Sequence, residues 1–152
     1  MKQLDVGCGV QKVPGFIGLD KVKSKDVDMV CDFLKESLPF DDNTIDEVFC
    51  GDVIEHITYK EMIKLMNEIY RICKPNAKVV IHTVYGIKGW LQHPPHLRPI
   101  MSNQFDYFSP KCLESETFVH MRKADGIKSI YNIIKSEVNQ DNTLYFELEV
   151  VK

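Results

Sequence analysis

The chain places two glycines directly after a short apolar run, in the segment LDVGCG at residues 4–9. At the end of a buried strand, such a turn lets a ligand approach main chain that carries no bulky side chain. The arrangement suits a nucleotide-like cofactor. A GxG pattern alone is equally typical of a purely structural turn, so the side chains around it must decide between the two interpretations.

Carboxylates follow the next two apolar runs. The second run, residues 16–19, ends in Asp20, whose carboxylate can accept hydrogen bonds from the two vicinal hydroxyls of a ribose. The third run ends in Asp32, which can accept from an adenine amine, with Phe33 supplying apolar contact to the ring. The alternative interpretation is that these acids only cap the ends of their strands.

A dinucleotide would need different residues around this turn. Its fingerprint has a third glycine and a full helix aimed at the pyrophosphate, but Lys12 stands where that glycine should be and the second run begins too soon for such a helix. The acid expected about 20 residues further on is missing too. S-adenosylmethionine has no phosphate, and its ammonium, ribose and adenine match Asp5, Asp20 and Asp32. We therefore expect S-adenosylmethionine in preference to a nicotinamide dinucleotide.

Histidines are the candidate bases, because imidazole titrates near neutral pH. Residues 90–99 follow the fifth apolar run and contain His93, His96 and Arg98. At the carboxyl edge of an open sheet, this segment can exclude water from an acceptor, with His96 as the base and Arg98 as a contact for an anion. The alternative is a proline-rich surface loop whose tryptophan packs on the core.

Hydrophobic periodicity predicts the elements that must position these side chains. Thr58 and Glu61 have the spacing of a capping box, and apolar residues then recur at helical period until Pro75. Two β-rich runs, 130–138 and 143–151, flank four turn-forming or polar residues and predict an antiparallel hairpin. Five apolar runs with polar or helical spacers between them are typical of a parallel, doubly wound sheet. These runs are residues 4–6, 16–19, 27–31, 48–50 and 79–84.

The fold expected is thus α/β: a Rossmann-like, doubly wound, seven-stranded sheet, mostly parallel with a C-terminal antiparallel hairpin. We expect one domain over residues 1–152, with residues 85–129 as loop and one short helix. A net charge of -3 argues against nucleic-acid binding as the function. Without a signal sequence or a membrane-length apolar run, a cytoplasmic location is expected. The five cysteines have no CxxC spacing and are interpreted as reduced core residues.

Six segments carry a family resemblance, in the order LDVGCG, GLD, CDF, LPFDDNTIDEVFCGDVIEHI, EIYRICKP and AKVVIHTV. Together they resemble class I S-adenosylmethionine-dependent methyltransferases, most closely a compact group linked to surface polysaccharide genes. The match covers residues 2–84 well and the remainder loosely. The resemblance implies that the methionine end of the cofactor contacts Asp5, Gly7, Cys8 and Gly9. It likewise implies that the ribose contacts Asp20 and Lys21 and that the adenine contacts Asp32 and Phe33. The region of the transferred methyl group would be lined by Gly51 and Asp52.

Two features need comment in light of this resemblance: the start of the chain and a possible metal-binding spacing. Most relatives have one or two helices before the first strand that cover the cofactor, whereas this chain begins almost at the strand. Asp52, Glu55 and His56 have the spacing of an acid-x-x-Glu-His cluster that binds a divalent metal in some related O-methyltransferases. Glu-His at this place is also common in relatives without a metal, as a feature of the helix start. No metal is therefore expected.

The function predicted from the sequence is methyl transfer to a small-molecule or sugar-like acceptor. Aligning the acceptor with an activated sulfonium carbon and excluding water can supply most of the rate, with a base needed only for a protonated acceptor. His96, Asp52 and His56 are the residues expected to act on that acceptor. The alternative is a cofactor-binding regulatory subunit with little activity of its own. A homodimer or a partner chain would then cover the cofactor site.

Overall fold

Seven strands form one mixed sheet in the computed structural model, which describes residues 1–152. In chain order the strands are β1 (Gln3–Val6), β2 (Ile17–Asp20), β3 (Met29–Val30), β4 (Ile45–Gly51), β5 (Cys73–Val84), β6 (Tyr131–Val138) and β7 (Thr143–Val150). Across the sheet their order is β3-β2-β1-β4-β5-β7-β6. The first five strands run parallel, while β7 pairs antiparallel with both β5 and β6. The predicted seven-stranded sheet and its hairpin are confirmed.

The longest helix, α1 (Tyr59–Ile72), begins at the predicted capping box. The backbone N–H of Thr58 donates to Glu61 Oε2 at 2.8 Å, and the Glu61 N–H donates back to Thr58 Oγ1 at 3.3 Å. The helix ends before Pro75, which lies inside β5 beside Asn76, a residue with left-handed φ of 61°. A register shift where β5 pairs with β4 accommodates this irregular start of the strand.

Residues 85–129 hold more helix than the sequence pattern predicts. They contain α2 (Gly86–Leu91) and α3 (Glu116–Asp125), together with 3₁₀ turns at Asp106–Phe108 and Pro110–Glu114. α2 is only six residues long and includes two glycines, and α3 buries little of its surface, so neither shows a clear apolar period. None of the helices is long and apolar enough to cross a membrane.

The two faces of the central strands are buried unequally. On β5, Val79 and Ile81 are fully buried, whereas the alternate residues Lys78 and His82 keep contact with solvent. The buried face packs against α1 and against Phe105 and Phe108 of the segment that follows α2. No helix lies before β1 within residues 1–152 or between β1 and β2.

Strand β6 is one edge of the sheet. Its register with β7 shifts between Ile133 and Lys135, which marks a bulge or similar irregularity. Beyond that point most of the strand is exposed, and Lys135 pairs with Glu137 on its outer half. The edge is thus both irregular and charged.

Candidate functional site

Two hollows lie at the carboxyl edge of the parallel strands. The first hollow has a volume of about 230 Å³ and is lined by residues that include Asp20, Phe33 and His56. The second hollow has a volume of about 440 Å³ and is lined by residues that include Asp5 and His82. Gly7 and Asp52 line both, so the two hollows adjoin beside the glycine turn. This is the edge at which ligands bind open α/β sheets.

The glycine turn, residues 7–9, requires glycine at its first position for two reasons. Gly7 has a φ of 76°, a conformation that residues with a Cβ rarely adopt. A Cβ built there would also lie 2.4 Å from Val53 Cγ2. Backbone N–H groups of Gly7 and Cys8 both donate to Leu19 O, which ties the turn to the end of β2. The turn is therefore tied to β2, and its first residue, Gly7, borders both hollows.

Asp5 and Asp20 line different hollows and are both held by main chain. The Val13 N–H donates to Asp5 Oδ2 at 2.8 Å, and the Gly9 N–H donates to Asp20 Oδ2 at 3.0 Å. Burial raises the pKa of Asp5, and the hydrogen bond from Val13 opposes that rise. Both acids therefore do cap local main chain, as the structural interpretation predicted. Each carboxylate still has accepting positions left for a ligand.

Of the other residues predicted at the cofactor, four line a hollow and two, Gly9 and Asp32, line neither. Lys21 and Phe33 line the first hollow, while Cys8 and Gly51 line the second. Asp32 lines neither hollow: its Oδ2 pairs with Lys35 at 2.9 Å, which is the main reason that its pKa is lowered. Burial raises the pKa of Cys8 to about 11, so its thiol stays protonated at neutral pH and acts as a small side chain.

Asp52 is held against His82, a pairing that the sequence did not reveal. Asp52 has a left-handed φ of 53°, and its N–H donates to His82 O at 2.9 Å. Asp52 Oδ1 lies 3.3 Å from His82 Nδ1. This contact is the main cause of both the lowered pKa of Asp52 and the raised pKa of His82. An oriented imidazole thus faces the second hollow.

The predicted segment of residues 90–98 lies against the 3₁₀ turn Ile54–His56 that follows β4. The Leu97 N–H donates to Glu55 O at 2.8 Å, and the Trp90 indole N–H donates to His96 O at 2.9 Å. As a result, a donor atom of each of Glu55, His56 and His96 lies within 4.8 Å of the other two. We call these three residues the Glu55 cluster. Its donor set could hold a metal ion, whereas Asp52 is engaged with His82.

Arg98 has a structural position rather than the predicted role as an anion contact. Its guanidinium donates to Ile54 O and Ile57 O, both at 3.2 Å, and to Gln104 Oε1 at 3.2 Å. Burial lowers its pKa. Arg98 therefore fastens the loop to the 3₁₀ turn and leaves little of its guanidinium for a ligand. Of the predicted catalytic residues, Asp52 and His56 line a hollow, and the His96 ring lies 4.8 Å from that of His56, centroid to centroid.

A family model described as a methyltransferase domain matches residues 8–81. An uncharacterized protein of Methanocaldococcus jannaschii is 31% identical over 115 residues, which cover 76% of this chain and 40% of that protein. Phosphoethanolamine N-methyltransferase 2 of Caenorhabditis elegans is 49% identical over 51 residues, 34% of this chain and 11% of the relative. The chain thus spans well under half the length of these two relatives.

The solved structure of an S-adenosylmethionine-dependent methyltransferase from Methanosarcina mazei superposes with a TM-score of 0.60 at 13% identity. It covers 99% of this chain, which in turn covers 92% of that structure. This similarity establishes the fold. The family model spans most of the residues that line the two hollows, although it begins after Asp5 and Gly7. Residues 8–81 thus match the methyltransferase domain family, and the strand order and the superposition give the chain the Rossmann-like fold of S-adenosylmethionine-dependent methyltransferases.

Proposed function

We propose that this chain transfers the methyl group of S-adenosylmethionine to a small polar or sugar-like acceptor. One observation carries the proposal: two hollows of different character adjoin at Gly7 and Asp52. The cofactor has an adenosine half and an amino-acid half joined at the sulfonium, and it supplies an activated methyl group when bound. A ligand of that shape needs two adjoining sites rather than one.

The lining residues fit the two halves of the cofactor. In the first hollow, Phe33 and Leu34 offer apolar contact to a planar base, and Asp20 offers carboxylate oxygens to the ribose hydroxyls. In the second hollow, the buried carboxylate of Asp5 suits an ammonium group, because a nearby cation favours its ionised form. Neither hollow has a glycine-rich helix start that would bind a pyrophosphate.

We assign the handling of the acceptor to the side of the hollows formed by Asp52, His56 and the loop that carries His96. Asp52 lies where the hollows adjoin, so it can orient an acceptor hydroxyl or amine beside the methyl group. His96 stands behind His56, and residues 90–98 exclude water from that side. The C. elegans relative acts on phosphoethanolamine, a small polar acceptor. The same class of acceptor is proposed here.

The polar, partly exposed second hollow gives a place for a second copy or a partner chain to cover the cofactor. The proposal of a small-molecule acceptor does not depend on such a cover.

Isothermal titration with S-adenosylhomocysteine and with NADH tests the proposal. S-adenosylhomocysteine is expected to bind with one equivalent per chain, and NADH is expected to give no heat, because nothing in the turn holds a pyrophosphate. A screen of hydroxyl and amine acceptors with labelled cofactor then identifies the substrate. Preference for NADH, or no binding of either ligand, would contradict the proposed function.

A further inference from the structure

Glu55 has a buried carboxylate that the protein leaves partly unsatisfied. The residue is 1% exposed, and its Oε2 atom has no hydrogen-bond partner. Buried polar atoms are nearly always paired, because a group removed from water without a partner destabilises the fold. An unpaired oxygen on an ionisable side chain is therefore an observation that needs a physical explanation.

The two histidine rings beside Glu55 each have one nitrogen in contact with a backbone carbonyl. His96 Nδ1 lies 2.9 Å from Gly89 O, and His56 Nδ1 lies 3.4 Å from Pro95 O. A carbonyl oxygen only accepts, so the Nδ1 atom of each neutral ring carries the hydrogen and Nε2 keeps its lone pair. A ring fixed in this way by a backbone carbonyl is the usual arrangement of a histidine that binds a metal.

We propose that Glu55, His56 and His96, the Glu55 cluster, form a binding site for a divalent transition-metal ion. Two neutral imidazoles and one carboxylate suit Zn²⁺ and similar ions, whereas Mg²⁺ and Ca²⁺ prefer oxygen ligands alone. Ligand atoms on one zinc lie about 3.3 Å apart, as bond lengths near 2 Å in a tetrahedron require. The donors of the cluster already lie within 4.8 Å of one another, so small side-chain rotations complete the site.

The main chain holds the three ligands together before any ion binds. Glu55 and His56 are neighbours on one 3₁₀ turn. Leu97, the residue that follows His96 in the loop, donates its backbone N–H to Glu55 O. Arg98 adds two further hydrogen bonds from the loop to that turn. The site is thus preorganised, which lowers the entropy cost of binding.

Three protein ligands leave at least one coordination position open. His56 belongs both to the cluster and to the wall of the first hollow, so the ion would lie at the border of the cofactor site. An oxygen of the acceptor is a suitable additional ligand, and coordination would lower the pKa of an acceptor hydroxyl. This last role rests on the proposed function, whereas binding of the ion does not.

The test is a titration of metal-free protein with Co²⁺, followed by visible absorption and without the cofactor present. One equivalent is expected to bind with a spectrum of nitrogen and oxygen ligands, and Zn²⁺ is expected to displace it. Glu55→Gln and His96→Ala should each weaken binding at least about tenfold. His120→Ala is the matched control, because His120 is an exposed histidine on α3, and it should bind as the parent does.

Three results would overturn the proposal: no saturable binding, parental affinity in either folded variant, or a sulfur-to-cobalt charge-transfer band that assigns the ion to a cysteine. Circular dichroism establishes that each variant is folded, and the near-isosteric Glu55→Gln keeps the test decisive if His96→Ala does not fold. Titrating the same protein with S-adenosylhomocysteine separates the two proposals. Cofactor binding without metal binding refutes only the metal site.

Discussion

The glycine turn and the Glu55 cluster lie at the same edge of the sheet but satisfy their carboxylates differently. Around the turn, both Asp5 and Asp20 accept hydrogen bonds from backbone N–H groups. In the cluster, an oxygen of Glu55 has no partner although the residue is buried. The first region is complete within the protein and offers its spare accepting positions to a ligand. The second has a buried acceptor that no group of the protein pairs with.

The two regions should therefore respond differently to substitution. Changes at the turn should lower both stability and cofactor affinity, because the same atoms support the fold and the ligand. Changes at the cluster should separate the two properties, because an unpaired buried acceptor favours ligand binding at the expense of stability. Three variants test this difference and a fourth tests the neighbouring Asp52–His82 pair; we describe them from the largest expected effect to the smallest.

Gly7→Ala is expected to have the largest effect. A Cβ at this position would strain a left-handed residue and contact Val53 Cγ2 at 2.4 Å, so the free energy of unfolding should fall by about 2–5 kcal/mol. Binding of S-adenosylhomocysteine should be lost. Urea denaturation and calorimetry measure the two effects. Gly15→Ala is the control, since Gly15 also has positive φ, 86°, but open space around its Cβ. Equal effects at both glycines would show that backbone strain alone matters.

Asp20→Ala should weaken S-adenosylhomocysteine binding by about 1.5–3 kcal/mol, the range for hydrogen bonds to a charged group. Some loss of stability should accompany it, because Gly9 and Val22 lose their carboxylate acceptor. Calorimetry gives the dissociation constant, and Asp41→Ala, at an exposed acid outside both hollows, should bind as the parent does. An unchanged dissociation constant in folded Asp20→Ala would remove this residue from the ribose site.

Glu55→Gln is expected to act in the opposite direction on stability. In metal-free protein it should raise the free energy of unfolding by about 1 kcal/mol, because it replaces a buried ionisable group without a full set of partners by a neutral amide. Urea denaturation in the presence of a chelator measures this change. Glu114→Gln, at an exposed glutamate, should leave the midpoint unchanged. A less stable Glu55→Gln protein would mean that the cluster is as complete as the turn.

Asp52→Asn should have the smallest effect, on the titration of His82. Contact with Asp52 is the main cause of the raised pKa of His82, with smaller contributions in the same direction from Asp141 and Glu55. The substitution should move that pKa toward the ordinary value near 6.5, as measured by NMR. A parental titration curve in this variant would show that the contact has no electrostatic consequence.

The same pair sets a pH window for stability. Because the pKa of His82 is raised, this histidine stabilises the fold at pH values below its ordinary pKa, and that stabilisation is lost as the pH rises through the raised pKa. Because the pKa of Asp52 is lowered, this aspartate stabilises the fold at pH values above its ordinary pKa, and that stabilisation is lost as the pH falls through the lowered pKa. The pair therefore contributes most between roughly pH 4 and 6.5. The contribution should be modest, since Asp52 is 65% exposed at its side chain.

Sequence patterns predicted the glycine turn far better than the cluster, and the reason is distance along the chain. Gly7, Asp20 and the capping box at Thr58 are local signals, each readable from a few neighbouring residues. The cluster needs a 3₁₀ turn after β4 to meet a loop after β5, and only the folded backbone joins Leu97 to Glu55. The sequence spacing grouped Asp52 with Glu55 and His56 as possible metal ligands, but in the structure the carboxylate of Asp52 contacts His82 instead.

The rest of the second half was hard to predict for a related reason. Arg98 is a residue type that often binds anionic ligands, yet its guanidinium N–H groups donate to the carbonyl oxygens of Ile54 and Ile57. Such a role depends on which backbone groups a turn leaves unpaired, and no periodic pattern encodes that. α3 is likewise fixed by what it packs against rather than by a strong apolar period.

The bulged, charged edge at β6 has a consequence for how the molecule behaves at high concentration. An outer strand with open N–H and C=O groups can recruit another strand, which is how soluble proteins begin to aggregate. Here the register shift after Ile133 bends the strand, and the ion pair of Lys135 with Glu137 places charge along the free edge. Both features oppose the addition of another strand at β6.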